Sequence, residues 1–309
     1  MLSRIAESLF WVGRYVERAD DTARILDTHL QLLLEDPWVS EDLACRSLLA
    51  VMGAPPPPSD AEVTPSHVMQ TLGYDRVSPG SIAGVLDAAR ENARRARETI
   101  STELWECLNT TRNDLPSAIR ERTTPEYFAW VRERAAVAAG ITDSATSRDQ
   151  IWTFLVLGRS IERADMTARL VATRAIAGSS GPSWTTLLRS CGAYESFLRA
   201  YRGSASDALA AEFLLLDPLF PRSVVYALRQ AEQCLVSLGE GSARTSTESA
   251  VRILGRVRSG LEFRPVGQLL DDLPAEMEEV QRACSSASDA VRLRYFPTGA
   301  HDDWVGERL

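Results

Sequence analysis

The 309-residue sequence contains no lysine: all 34 of its basic residues are arginine. Chemistry that depends on a lysine amine, such as Schiff-base formation, is excluded. Histidine is almost as scarce. His29, His67 and His301 share no metal-like spacing, so they read as structural or exposed residues. The five cysteines, Cys45, Cys107, Cys191, Cys234 and Cys284, are odd in number and form no CxxC pair. That usage favours buried thiols in a reducing compartment over a disulfide framework or a zinc ribbon. There is no glycine-rich phosphate loop. No run approaches the ~18 apolar residues of a membrane span, and the opening MLSRIAESLFWVGRYVERAD lacks a basic leader followed by a long apolar stretch. A cytoplasmic chain without membrane contact is expected. Excess positive charge is also missing, and a formal net charge of −8 removes the basic footprint of a nucleic-acid binder.

Helical periodicity is abundant. Apolar residues recur at i, i+3, i+4 and i+7 over most of the chain, and alternating strand-like runs are nearly absent. The expected fold class is all-α. Helices are expected at about 3–35, 41–53, 79–108, 125–140, 147–177, 183–201, 204–216, 222–238, 244–260 and 272–295. The stretch GAPPPPSDAEVTPS from Gly53 is a loop, because consecutive prolines cannot donate helical hydrogen bonds.

One dodecamer occurs almost twice: GRYVERADDTAR from Gly13 and GRSIERADMTAR from Gly158, 145 residues later. The likeness continues. Trp38 recurs as Trp184, SLLAVMGA from Ser47 as TLLRSCGA from Thr186, and LGYDRVSPGSIAGVLDAA from Leu72 as LLLDPLFPRSVVYALRQA from Leu214. The last pair aligns Asp75 with Asp217, Pro79 with Pro221 and Ser81 with Ser223. A single domain over 1–309 is expected, built from pseudo-repeats 1–145 and 146–309 as an internally duplicated, pseudo-two-fold helical bundle.

Wound at 100° per residue, each dodecamer separates into stripes. Val12, Val16, Ala19, Ala23, Leu26 and Leu30 fall on a core face, as do Leu157, Ile161, Ala164, Ala168 and Val171. Beside it lie Gly13, Glu17, Asp20 and Arg24, repeated as Gly158, Glu162, Asp165 and Arg169. A second polar stripe carries Arg14 and Arg18, or Arg159 and Arg163. A glycine inside a helix costs ~1 kcal/mol relative to alanine, so its presence in both copies implies a neighbour packed on bare backbone. If the two helices cross, their carboxylates and guanidiniums converge. Such a cluster has a structural reading, an ion-pair network that fixes register, and a binding reading, arginines holding phosphate or a peptide carboxylate. It also has a catalytic reading with Glu17 or Glu162 as general base, although no nucleophile or oxyanion site accompanies them. Magnesium on Glu17, Asp20, Glu162 and Asp165 is the remaining alternative; no ExxH pattern supports a di-iron centre. No cofactor is expected.

The elements SPGS from Ser78 and FPRS from Phe220 read as helix starts, with Ser78 capping a helix opened by Pro79 and Pro221 opening its counterpart. Arg222 would then sit in a first turn, where free N–H groups favour an anion. The charged run ARENARRARETISTELWECLN from Ala89 reads as a solvated face, with Arg94, Glu98 and Trp105 as candidates for the central groove. The terminal TGAHDDWVGERL offers Trp304 as a docking residue.

WVGRYVERADDTAR near the start, RENARRARETISTELWECLN in the middle and FPRSV in the second half resemble the bacterial alpha-E family, a helical domain with a Glu-Arg motif. The resemblance spans essentially the whole chain, and the motif corresponds here to Glu17–Arg18 and Glu162–Arg163. It implies a place beside, or fused to, a circularly permuted ATP-grasp amidoligase, and near a transglutaminase-like peptidase, in making or modifying peptide amide bonds. The expected role is a non-catalytic partner that binds the ligase or its anionic peptide substrate. An enzyme acting on a peptide or amide, and a self-assembling scaffold with a homo-oligomer face, are the alternatives.

Overall fold

A computed structural model of the chain describes residues 1–35, 40–58, 60–177, 183–202, 206–240 and 249–297. Trp38, His301 and Trp304 lie outside the described residues, as does the start of the helix expected from 244. The described residues form α-helices and no strand. In chain order the helices are α1 (Ser3–Glu35), α2 (Glu41–Val51), α3 (Pro65–Val68), α4 (Ile82–Arg95), α5 (Thr102–Glu121), α6 (Thr124–Ala145) and α7 (Gln150–Ala177). They continue with α8 (Trp184–Ser190), α9 (Tyr194–Ala200), α10 (Asp207–Leu216), α11 (Val224–Leu235), α12 (Ala250–Glu262), α13 (Val266–Asp271) and α14 (Leu273–Tyr295). Short π-helical turns, Met69–Tyr74 and Val236–Glu240, extend α3 and α11. No helix among them is long and apolar enough to cross a membrane.

The expected boundaries hold for α1 and α14 and shift elsewhere for local reasons. The helix expected over 79–108 is two helices, because Ser101 caps a new one by accepting from the Leu104 N–H. The helix expected over 183–201 breaks at Gly192, whose φ of +62° favours glycine. Gly53, with φ of +72°, likewise ends α2.

At the centre α1 packs along α7. Around this pair, α4, α6 and α8 lie on α1, while α2, α11 and α14 lie on α7. Helix α5 covers α4 and α6, and α12 covers α11 and α14. The predicted apolar stripe is the core: Val12, Ala19, Ala23 and Leu26 are buried on α1, and Leu157, Ile161, Ala164, Ala168 and Val171 on α7. All five cysteines are buried and free, and burial pushes their thiols up.

The repeated glycines set how closely the central helices approach. A β-carbon built on Gly13 would lie 2.0 Å from the Leu155 carbonyl oxygen, and one on Gly158 would lie 2.0 Å from that of Phe10. The neighbour packed on bare backbone is the other copy of the motif, met in both directions. This contact brings the flanking glutamates and arginines within reach across the interface.

Candidate functional site

Each central glutamate is held by arginines. Glu162, fully buried on α7, accepts from Arg14 Nε at 2.6 Å and from Arg18 at both of its oxygens. Glu17, 4% exposed on α1, accepts from Arg163 Nε at 2.6 Å and Nη2 at 2.8 Å. The pairs thus exchange between helices, α1 arginines on the α7 glutamate and the reverse, with the bidentate geometry that guanidinium and carboxylate share. Burial alone would raise both carboxyls, but the arginines overcome it. Arg163 and Arg222 hold Glu17 down to about 2, and Arg14 and Arg18 hold Glu162 below the usual carboxylate range.

Further along, Arg24 bonds Asp20 at 3.0 Å and Arg169 bonds Asp165 at 2.8 Å, the i,i+4 pairs legible in the sequence. Both arginines also reach the glycine-ended turns. Arg169 donates to the Val51 carbonyl at 3.3 Å beside Gly53, and a β-carbon on Gly192 would come within 2.9 Å of Arg24. The ends of α2 and α8 thereby gain a cation near carbonyls left open at a helix C-terminus.

The helix starts beside the core differ from expectation. Ser81 and Ser223, not Ser78, are the N-caps: Ser81 accepts from the Gly84 N–H and Ser223 from the Tyr226 N–H. Each also donates to the carbonyl of the aspartate six residues earlier, Asp75 or Asp217, which folds the intervening proline segment into a turn ahead of the helix. Pro79 and Pro221 then present carbonyls to Arg18 and Arg163, each at 3.5 Å. Arg222 precedes its cap and lies outside the first turn. Its guanidinium enters the α1 carboxylates, bonding Asp20, Asp21 and, at 2.9 Å, Glu17.

This last contact marks the main asymmetry. Position 21 is aspartate and its counterpart 166 is methionine, while the arginine at 222 faces a glycine at 80. Asp21 escaped the sequence reading, although ADD against ADM and PRS against PGS signal it. One Asp21 oxygen has no hydrogen-bond partner, and burial, with Glu17 and Asp20 nearby, outweighs Arg222 and Arg163 and raises its carboxyl to about 8. Glu17, Asp20 and Asp21 approach closely enough to offer a cation three oxygens, and Arg222 already supplies that charge. The four-carboxylate magnesium set is not assembled among the described residues: Glu17 and Asp20 gather with Asp21, while Glu162 and Asp165 are held by Arg14, Arg18 and Arg169.

Three candidates sit elsewhere than expected. Arg159 pairs with Asp143 of α6 at 3.0 Å and leaves both glutamates to other arginines. Arg94 is exposed and holds Glu91 on its own helix at 2.7 Å. Glu98 is exposed past the end of α4, so neither residue joins the core; Trp105 instead lies beneath Arg90 and Arg97. His29 and His67 take no part in the cluster. Among the clefts along the core are one of about 410 Å³ between α1, α7 and α14, and a narrower one of about 180 Å³ between α1, α7 and α6.

Fold and site together define an all-helical domain whose centre is an exchange of glutamate–arginine pairs between two long helices. The chain belongs to the Alpha-E family, described as a predicted alpha-helical domain with a conserved ER motif, whose model matches residues 1–296. It is similar to an uncharacterized protein of Mycobacterium bovis and to one of Mycobacterium tuberculosis strain CDC 1551 / Oshkosh, each 27% identical over 276 residues. The match covers 80% of this chain and 31% of each relative, so the chain spans about a third of the length of the curated relatives it matches. No solved structure matches.

Proposed function

We propose that this chain is a non-catalytic helical partner of a circularly permuted ATP-grasp amidoligase, binding the ligase or its anionic peptide substrate during the synthesis or modification of amide bonds. The observation that carries the non-catalytic part is the state of the two motif glutamates. Both are buried, each is bound by two arginines, and both are held in the charged form well below neutrality. A general base must reach a substrate proton and be poised near the working pH; these carboxylates meet neither condition. Their arrangement suits a rigid scaffold.

The partner comes from the family resemblance, and the relatives' length supports it, since most of each relative lies outside the part that matches. The exchanged contacts, repeated at an offset near 145 residues, support a duplicated ancestry in which each half completes the other. Buried, unpaired thiols suit a cytoplasmic setting.

The test is co-expression of the tagged chain with a circularly permuted ATP-grasp amidoligase from the same genome. Co-elution on size exclusion, strengthened by ATP and peptide, is expected. Separate elution under every nucleotide and peptide condition overturns the proposal.

A further inference from the structure

Two of the clefts beside the central helices, the one against α14 and the one against α6, are built from the same parts. In the larger, Arg14 and Arg18 of α1 face Asp165 and Arg169 of α7; in the smaller, Arg159 and Arg163 of α7 face Asp20 and Arg24 of α1. Adding 145 to one set of positions gives the other, apart from the direction of exchange. The third wall differs. Helix α6 closes the smaller cleft with Ala135, Ala136, Ala138 and Ala139, whereas α14 lines the larger with Gln281, Ser285, Ser288 and Asp289.

Arginine is prominent in both clefts. Around the smaller cleft, Arg24, Arg159, Arg163 and Arg222 pair with Glu17, Asp20, Asp21 and Asp143, of which Asp21 has its carboxyl raised to about 8. Around the larger, Arg14, Arg18, Arg169 and Arg292 meet only Glu162, Asp165 and Asp289, which leaves one positive charge in excess in a chain whose net charge is −8. Arg14 turns Nη1 to Ser288 at 3.0 Å and keeps Nη2 outside any hydrogen bond among the described residues. Phe10, Trp11 and Phe296 supply an apolar wall: Phe10 and Phe296 pack at 5.7 Å, and Trp11 lies under the Arg14 guanidinium.

We propose that the cleft between α1, α7 and α14 binds the free carboxylate end of a peptide, with Arg14 and Arg292 meeting the carboxylate, α14 hydroxyls meeting the peptide backbone, and Trp11 and Phe296 packing on the adjoining side chain. A single excess positive charge matches a monoanion better than a phosphate dianion, and the mixed polar and apolar walls suit a peptide. The site rests on the reading above for its peptide, and on the cleft's own charge for its anion.

The experiment is calorimetric titration of the full chain with N-acetyl-Ala-Phe bearing a free carboxylate, with its C-terminal amide, and with inorganic phosphate. The acid is expected to bind at least about tenfold tighter than either other probe. Ser285→Trp, which fills the cleft from an exposed position, and Arg292→Glu should each weaken the acid about tenfold or more. Ala136→Trp, exposed beside the smaller cleft, should leave it unchanged, with melting curves confirming that all three variants fold. Equal binding of acid and amide, tighter binding of phosphate, no binding of the acid, or loss of binding in Ala136→Trp alone would each overturn the site. Peptide binding by a chain that forms no ligase complex would remove the partner reading and keep the site; a ligase complex without peptide binding would do the reverse.

Discussion

Gly13 meets the Leu155 backbone where the central helices pack together, and the contact leaves no room for a methyl group. The same meeting recurs between Gly158 and Phe10. Both glycines therefore keep the interface close enough for arginines on each helix to reach the glutamate on the other.

Gly13→Ala and Gly158→Ala should each destabilise the chain by about 2–3 kcal/mol, since the helices must part to admit the new carbon. Alanine's better helix propensity would stabilise by only ~1 kcal/mol. Gly140→Ala is the control: it lies inside α6 with nothing within 4 Å of the added carbon, and it should stabilise by ~0.5–1 kcal/mol. Urea midpoints of the three variants make the comparison, and a neutral Gly13→Ala would remove the close approach from the account.

Arg222 and Asp21 act as a matched pair that the α7 side lacks. Arg222→Gly alone leaves three carboxylates crowded on α1 and should cost about 3–5 kcal/mol. Adding Asp21→Met reproduces the glycine and methionine found at positions 80 and 166, where Glu162 and Asp165 are satisfied by Arg14, Arg18 and Arg169. A double-mutant cycle should show about 2 kcal/mol of recovery. Simple additivity would show that the two residues are independent.

The same crowding fixes a pH dependence. Asp21 has a carboxyl raised from 3.8 to about 8 in the folded chain, so the folded state holds its proton more tightly than the unfolded chain. Its contribution to stability is fully present below about pH 4 and is lost as pH climbs towards 8. Glu17 runs the other way: lowered from 4.5 to about 2, it stabilises above pH 4.5 and loses that contribution as pH falls towards 2. Stability should peak in mildly acidic solution. Asp21→Asn should flatten the alkaline limb by on the order of 2 kcal/mol between pH 5 and 9 while leaving the acid limb in place, as read from denaturation at stepped pH. An unchanged alkaline limb would place its cause elsewhere.

What could be read before the fold was known follows from range. The bounds of α1, the core stripe, the glycine contact and the Asp20–Arg24 and Asp165–Arg169 pairs depend on helical spacing, and all were visible in the repeated dodecamer. Convergence of the carboxylates and guanidiniums followed once crossing was assumed, but which arginine holds which glutamate did not. Partners chosen by tertiary packing were not visible: Asp143 captures Arg159 from another helix, and Arg222 turns inward because Ser223, not Pro221, starts α11. Helix α5 runs through Pro116 to Glu121 because Thr111, Leu115 and Ala118 are buried there, which local propensity does not report. The contrast between an alanine wall and a serine wall acquires meaning only when α6 and α14 are seen on equivalent flanks.

The central claim is that the motif's glutamates and arginines work on each other across the helix interface. A double-mutant cycle on Glu17→Gln and Arg163→Met, followed by urea denaturation of all four proteins at pH 7, measures that coupling directly. The expected coupling is about 2–3 kcal/mol, the double variant losing less than the sum of the two single losses by that amount. A coupling below about 0.5 kcal/mol would contradict it.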